Sequence, residues 1–313
     1  MRIAFNTFPS ALTSQLATLP AQQNRLQNQT ATGKRISQLE DDPATMRQVL
    51  DLQVQNSQIA QYRKNIASLQ TQATSSYNGI SGLQTLSARA GEIATSADGT
   101  RSPAELKAYA TEVTQLIQQG VQLMNSTSQG SYIFGGTQTS QPPYTITSDA
   151  NGNVTGVTYQ GNDSVPGAEI AAGATVSVQV PGANTSGSGP EGLITDTRTG
   201  ADFFNHLIAL QNHLLAGDTA SISSVDHPAL TKDEDNITSQ MTNNGLIQSH
   251  LATADSLAST QSLSVKQTVS QISDADLAQT VTELSAAQTA YQAALESGAK
   301  LLSSNMTLLT YLT

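Results

Sequence analysis

Two stripes of residues spaced four and three apart, one at each end of the chain, constrain this sequence most. Near the start, Leu12, Leu16, Leu19, Gln23, Leu26, Thr30 and Gly33 follow that step. Near the end, Leu277, Val281, Leu284, Gln288, Tyr291, Leu295, Gly298, Leu302, Met306 and Leu309 follow it too. Steps of three and four are the seam of a helix that packs along another helix. Chain ends are ordinarily the part least able to hold a core, so the two ends are expected to pair, each supplying half of an interface that neither buries alone. Such a pair buries few large side chains against the cost of ordering both segments. Burial against neighbouring copies is therefore expected to complete it. Pro20 falls inside the first stripe, and a kink or restart near Leu19 is expected there.

Between the ends the texture changes twice. Residues from about Ser10 to Gln129 are rich in Gln, Ala, Ser and Leu with helical periodicity; from about Gln138 to Gly200 Gly, Thr, Val, Asn and Pro take over; from Ala201 the helical texture returns. The fold class this implies is mainly α: a long antiparallel helical rod and paired terminal coiled-coil helices, with a small β-rich inserted domain. The expected domains are residues 1–40 with 272–313 (terminal coiled coil), 41–137 with 201–271 (helical rod) and 138–200 (outer insert). Within the insert, "YTITSDANGNVTGVTYQG" reads as strand, tight turn at Asp149 to Asn153, strand. Val176, Val178 and Val180 alternate as a further strand, and "GANTSGSGPEG" reads as a flexible connection. "SADGTRSP" places a turn near Asp98 to Ser102, with Pro103 opening the next helix. "DFFNHLIALQNHLLAGD" puts Phe203, Leu207, Leu210 and Leu214 on one helical stripe ending at Gly217, and a long helix is expected from about Pro228 to Val265.

Composition narrows function by exclusion. Charged residues are 12% of the 313, and the net charge is −10. Nucleic acid calls for clustered Lys and Arg interleaved with aromatics, and no such cluster exists. No apolar run reaches the roughly 18 to 20 residues of a membrane span, and the first thirty residues lack the apolar core of a cleavable secretory signal. Cysteine is absent, which removes disulfides, thiolate nucleophiles and cysteine zinc sites. The four histidines, His206, His213, His227 and His250, have no metal-ligand spacing; His206 and His213 are expected to have a packing or surface role. Asp149 opens a stretch with Val154 and Gln160 where a calcium loop needs Gly and Glu. No phosphate-binding glycine loop and no serine-nucleophile motif is present. Asp41 and Asp42, directly before Pro43, read as helix-capping carboxylates. No catalytic residue, cofactor or metal site is expected.

The segment "GKRISQLEDDPATMRQVLDLQ", with Gly33, Lys34, Arg35, Asp41, Asp42 and Pro43, resembles the N-terminal signature of the bacterial flagellin superfamily, and especially its hook–filament junction branch. "SYIFGGTQTSQPPY", with Phe134, Gly135 and Gly136, is similar to the segment closing that branch's first helical arm, and "YQGN" at Tyr159 to Asn162 fits its inserted domain. "ISDADLAQTVTELSAAQTAYQAALESGAKLL" is similar to the shared C-terminal helix. The resemblance implies a structural, non-enzymatic part of the bacterial flagellum. It would be exported through the type III apparatus with an export chaperone, without a cleaved signal, to an extracellular position. There it would form a ring of copies between the hook-side junction protein and the flagellin filament. The two seams, with Arg35, Asp41, Asp42 and Pro43 at the joint, are the implied assembly residues. Alternatives are a filament-forming flagellin and, of another class, a secreted enzyme or adhesin carried on a flagellin-like scaffold.

Overall fold

The computed structural model describes the backbone of residues 7–310 and the side chains of residue 14 and residues 16–300. The helices are α1 (Thr7–Thr32), α2 (Pro43–Ser96), α3 (Pro103–Met124), α4 (Phe203–Ala216), the single turn α5 (Thr219–Ser221), α6 (His227–Ser273) and α7 (Leu277–Thr310), with a π-turn at Ile222–Asp226. Nine short strands lie between α3 and α4 among the described residues. The fold is mainly α with a small β insert, as its periodicities predict. Two compact units divide the chain: residues 1–58 with 261–313, and residues 59–260. The boundaries fall inside α2 and α6 rather than at the helix ends near residues 40 and 272.

In the first unit α1 runs through Pro20 as one helix, so the restart expected near Leu19 does not occur. Proline removes one amide donor from the ladder, and the turns on either side carry the helix past it. α1 packs along α7. Gly33 meets Ala275 at one end, where the Ala275 amide donates to the Gly33 carbonyl at 2.8 Å. Further along, Gln23 Nε2 donates to the Ala287 carbonyl at 3.0 Å, so the two helices are antiparallel. In the same unit Ser262 Oγ on α6 donates to Asn56 Oδ1 on α2 at 2.8 Å.

The second unit is built on the rest of α2. Its buried positions from Ile66 through Leu69, Ala73, Ser76, Ile80 and Leu83 to Ala94 keep steps of three and four. α3 folds back on α2 after the turn at 97–102, begun by a capping box in which Ser102 and Glu105 satisfy each other's backbone amides. Gly79 and Gly82 allow this close packing: a Cβ at either would collide with Phe134 or Leu123. α6 presents a matching stripe, Leu230, Asp233, Ile237, Gln240, Asn244 and Leu251, and Arg63 on α2 pairs with Asp255 on α6 at 2.9 Å.

The strands form small ribbons. β1 (Thr127–Ser128) pairs with β2 (Ser131–Tyr132), and β3 (Tyr144–Ser148) with β4 (Val154–Tyr159), both antiparallel. The Asp149 carboxylate holds the β3–β4 turn by accepting from the amides of Asn151 and Asn153, each at 2.8 Å. β5 (Ala168–Ala171) pairs with β6 (Ala174–Val176), and β7 (Ala183–Asn184), β8 (Thr195–Asp196) and β9 (Ala201–Asp202) form a three-stranded sheet. Val178 and Val180 are buried beyond the end of β6 rather than within a strand. Two-stranded ribbons are too small to be stable alone, and here they have no separate core. Phe134, Tyr144, Val154, Leu193 and Ile194 share one cluster with residues of α2, α3 and α4. The stretch expected to be a flexible connection is pinned: Asn184 Nδ2 donates to the carbonyls of Ser188 and Pro190, both at 2.6 Å. Arg198 adds a bond to the Gly189 carbonyl at 2.9 Å.

Candidate functional site

The joint at which the terminal helices meet the long ones lies within the first unit. α1 ends at Gly33, whose φ of 69° needs the left-handed conformation that glycine adopts most readily. Its amide donates back to the Gln29 carbonyl at 2.8 Å. The chain then crosses the end of α6: the Arg35 amide donates to the Ser273 carbonyl at 2.8 Å, and Lys34 pairs with Asp274 as an isolated bridge. Arg35 Nη2 donates to the Ile272 carbonyl at 2.8 Å, placing a positive charge on the last carbonyls of α6, where the helix dipole is negative. Ile36 and Ser273 are buried beneath this crossing.

Two carboxylates then set the start of α2. Asp41 closes the preceding loop by accepting from the amides of Ser37 and Gln38, both at 3.0 Å. Asp42 caps α2, accepting from the amides of Ala44 and Thr45, both at 3.1 Å, and from Thr45 Oγ1 at 2.6 Å. Pro43 occupies the first helical position, where its missing N–H is not needed. These bonds to the ionised form hold both carboxyls below the usual range, Asp41 mainly through the Ser37 amide and Asp42 mainly through the Thr45 hydroxyl. On the other side Asp276 starts α7, accepting from the amides of Ala278 and Gln279 at 2.9 and 3.1 Å. A cleft of 380 Å³ beside the joint is lined by Arg25, Arg35, Asp41, Asp276 and Glu283 among others, so it offers both signs of charge.

The end stripes are placed unequally. On α1, Leu26 is fully buried and Leu16, Leu19, Gln23, Thr30 and Gly33 are half-buried, in line along one face. On α7 the least exposed positions are Thr280, Leu284, Ala287, Tyr291, Ala294 and Gly298. Leu277, Val281 and Leu295 are 50%, 47% and 46% exposed. The packed stripe of α7 therefore shares Leu284, Tyr291 and Gly298 with the sequence stripe but is shifted by one residue between them, from Val281, Gln288 and Leu295 to Thr280, Ala287 and Ala294. Thin side chains let two backbones approach; the larger ones lie along an adjacent, uncovered face. The side chains of Leu12, Leu302, Met306 and Leu309 lie outside the described residues.

Two sequence signatures converge in the second unit. Phe134 is fully buried against Gly79, and its carbonyl accepts from the Tyr159 hydroxyl and the Gly182 amide at 3.0 and 2.9 Å. Gly136, at φ 65°, lies so close to Asn162 that a Cβ would collide with it, and Gly135 lies as close to the Gln138 carbonyl. Asn162 answers from its own backbone, donating to the Gly135 carbonyl at 3.2 Å. The "YIFGG" and "YQGN" segments thus form one joint between the end of the α3 hairpin and the β insert.

His206 and His213, two turns apart on α4, bond through Nδ1 to the buried carboxylates of Asp233 and Asp226, each at 2.7 Å. Burial pushes both carboxyls up, and the bond to Asp233 pushes His206 up. Asp226 and Asp233 repeat the seven-residue spacing of the histidines, a match by which these rungs could have been found in the sequence. Among the described residues no three His, Cys, Asp or Glu side chains gather to hold a metal ion, and no helix is long and apolar enough to cross a membrane.

Three solved structures share this architecture. The fold is similar to a structure from Vibrio parahaemolyticus assigned as a flagellar hook-associated protein, with TM-score 0.63 and 21% identity over 75% of this chain and 100% of that one. Flagellar hook-associated protein 3 of Legionella pneumophila gives TM-score 0.58 and 14% identity over 72% and 98%. FlgL of Bacillus cereus gives 0.55 and 21% over 70% and 99%. No curated protein matches in sequence. The family model described as the bacterial flagellin N-terminal helical region matches residues 3–139, and that of the C-terminal helical region matches residues 229–312. With both halves matched in order across about seven tenths of its length, this chain belongs to the bacterial flagellin family.

Proposed function

We propose that this chain is a structural adaptor of the bacterial flagellum, a ring of copies joining the hook, through the hook-side junction protein, to the flagellin filament. The observation that carries this reading is the α1–α7 pair: on α7 it buries Thr280, Ala287 and Ala294 and leaves Leu277, Val281 and Leu295 uncovered. Uncovered apolar residues beside a coiled pair suit burial against neighbouring copies. The joint supports a mechanical role, because two capping carboxylates, a proline and an arginine on the α6 carbonyls fix the direction in which each helix leaves it. Copies of one chain can then pack alike against a curved hook and a straighter filament. The chain would leave the cell through the type III apparatus, held by an export chaperone and without a cleaved signal.

Expression in a strain lacking its own filament protein separates this adaptor from a filament-forming flagellin. The adaptor reading expects hooks bearing at most a short added segment. Long filaments built of this chain would contradict it.

A further inference from the structure

Asparagine followed directly by glycine occurs three times, at Asn78–Gly79, Asn151–Gly152 and Asn244–Gly245. Such a pair is chemically labile, because glycine has no side chain to shield its amide nitrogen from the asparagine side-chain carbonyl. The fold treats the three pairs unequally. We infer that Asn151 is a site of spontaneous deamidation in the folded chain, and that Asn78 and Asn244 are protected from it. This property lies outside the assembly role and does not rest on it.

The reaction needs only water. The Gly152 amide nitrogen gives its proton to solvent base and attacks Asn151 Cγ. A new N–Cγ bond closes a succinimide ring, the Cγ–Nδ2 bond breaks, and the departing nitrogen takes a proton from solvent and leaves as ammonia. Water then opens the ring at one of its two carbonyls. One opening gives aspartate; the other gives isoaspartate, in which the main chain runs through the former side chain. Nothing is oxidised or reduced.

Ring closure requires the asparagine side chain to turn onto the next amide, so that amide must be reachable and its backbone free to rotate. Asn78 and Gly79 lie inside α2, and Asn244 and Gly245 inside α6, where the helix bonds hold each amide. Gly79 is also buried against Phe134, whose ring stands 2.9 Å from where a Cβ would be. Asn244 is 1% exposed, and its Oδ1 accepts from Gln248 Nε2 at 2.6 Å. Asn151 and Gly152 are both exposed, in the turn between β3 and β4. Gly152 has a φ of 86°, and beyond its chain neighbours nothing lies within 4 Å of a Cβ built there. Its amide donates to the Asp149 carbonyl at 3.1 Å, an exposed turn bond of the kind that opens at little cost. The product adds a negative charge two residues from Asp149, whose carboxylate holds this turn.

The test holds the full chain for weeks at mildly alkaline pH, once folded and once in urea, and maps its peptides by mass spectrometry. In the folded chain the Asn151 peptide is expected to exchange NH for O and to split into aspartate and isoaspartate forms. Conversion at Asn78 and Asn244 should be at least about tenfold slower, since their amides are released only by opening a long helix. In urea the three rates should converge to within a few-fold. Hydroxylamine, which cleaves a chain at a succinimide, should cut the folded chain after Asn151. Gly152→Ala introduces a side chain that shields the amide and is expected to slow conversion about tenfold, with circular dichroism confirming that the variant folds. No conversion at Asn151, equal conversion of the three pairs in the folded chain, selectivity that persists in urea, or an unchanged rate in a folded Gly152→Ala would overturn the inference.

Discussion

Phe134 shows how one side chain can anchor a joint. It fills the space left by Gly79 on α2 while its carbonyl gathers Tyr159 and Gly182 from the insert. Phe134→Ala is expected to destabilise the second unit by about 3–5 kcal/mol, the usual cost of truncating a fully buried phenylalanine, read as a lower urea midpoint. The His–Asp rungs give a pH dependence at the same scale. His206 has a raised pKa because it bonds Asp233, so its stabilisation is complete below the ordinary histidine pKa of about 6.5 and is lost as pH rises through the raised value. Burial raises Asp233 and Asp226, so ionising them also costs stability as pH rises, at lower pH. The melting temperature of the second unit is therefore expected to fall as pH rises above the ordinary histidine value of about 6.5, and His206→Gln should flatten that slope. An unchanged slope in the variant would remove His206 as its source. Sequence spacing showed which histidines share a face of α4; it did not show that buried aspartates meet them, because those lie on another element.

At the scale of elements, the terminal pair tests how stripes of three and four should be weighed. Counting apolar residues marked Leu277, Val281 and Leu295 on α7, yet Thr280, Ala287 and Ala294 are the ones packed away. Hydrophobicity alone misses this, because a close helix crossing selects for small size. Ala294→Leu is expected to overpack the α1–α7 contact and cost about 1–3 kcal/mol, seen as lost helicity of the ends on heating. Leu295→Ala should leave the isolated chain's melting unchanged and weaken its assembly with other copies. The reverse pattern would restore the leucine seam. Gln23, which donates to the Ala287 carbonyl, pairs one polar group to one position and so fixes register, as a single polar seam residue does in coiled coils.

For the whole molecule, the order of textures was legible: helical flanks, a β-rich middle, a long second helix. The compact units were not. The helices pass through the boundary between units without a breaker, so neither Gly nor Pro marks it in the sequence. The insert looked separable because its composition changes abruptly at Gln138. Its ribbons are too small to bury a face alone, and its apolar residues join the core of the helices instead. The assembly account makes one expectation of the isolated chain: protease should cut before about Arg35 and after about Ile272 and spare the middle, with both ends protected in the assembled ring. Full protection of the ends in a verified monomer would show that neighbours are not needed to complete the pair. The central claim is tested most directly by electron microscopy of cells from which this chain has been deleted. An adaptor between hook and filament predicts hooks of normal length without attached filaments, with unassembled flagellin in the medium and recovery on re-expression. Normal filaments on the deleted cells would contradict it.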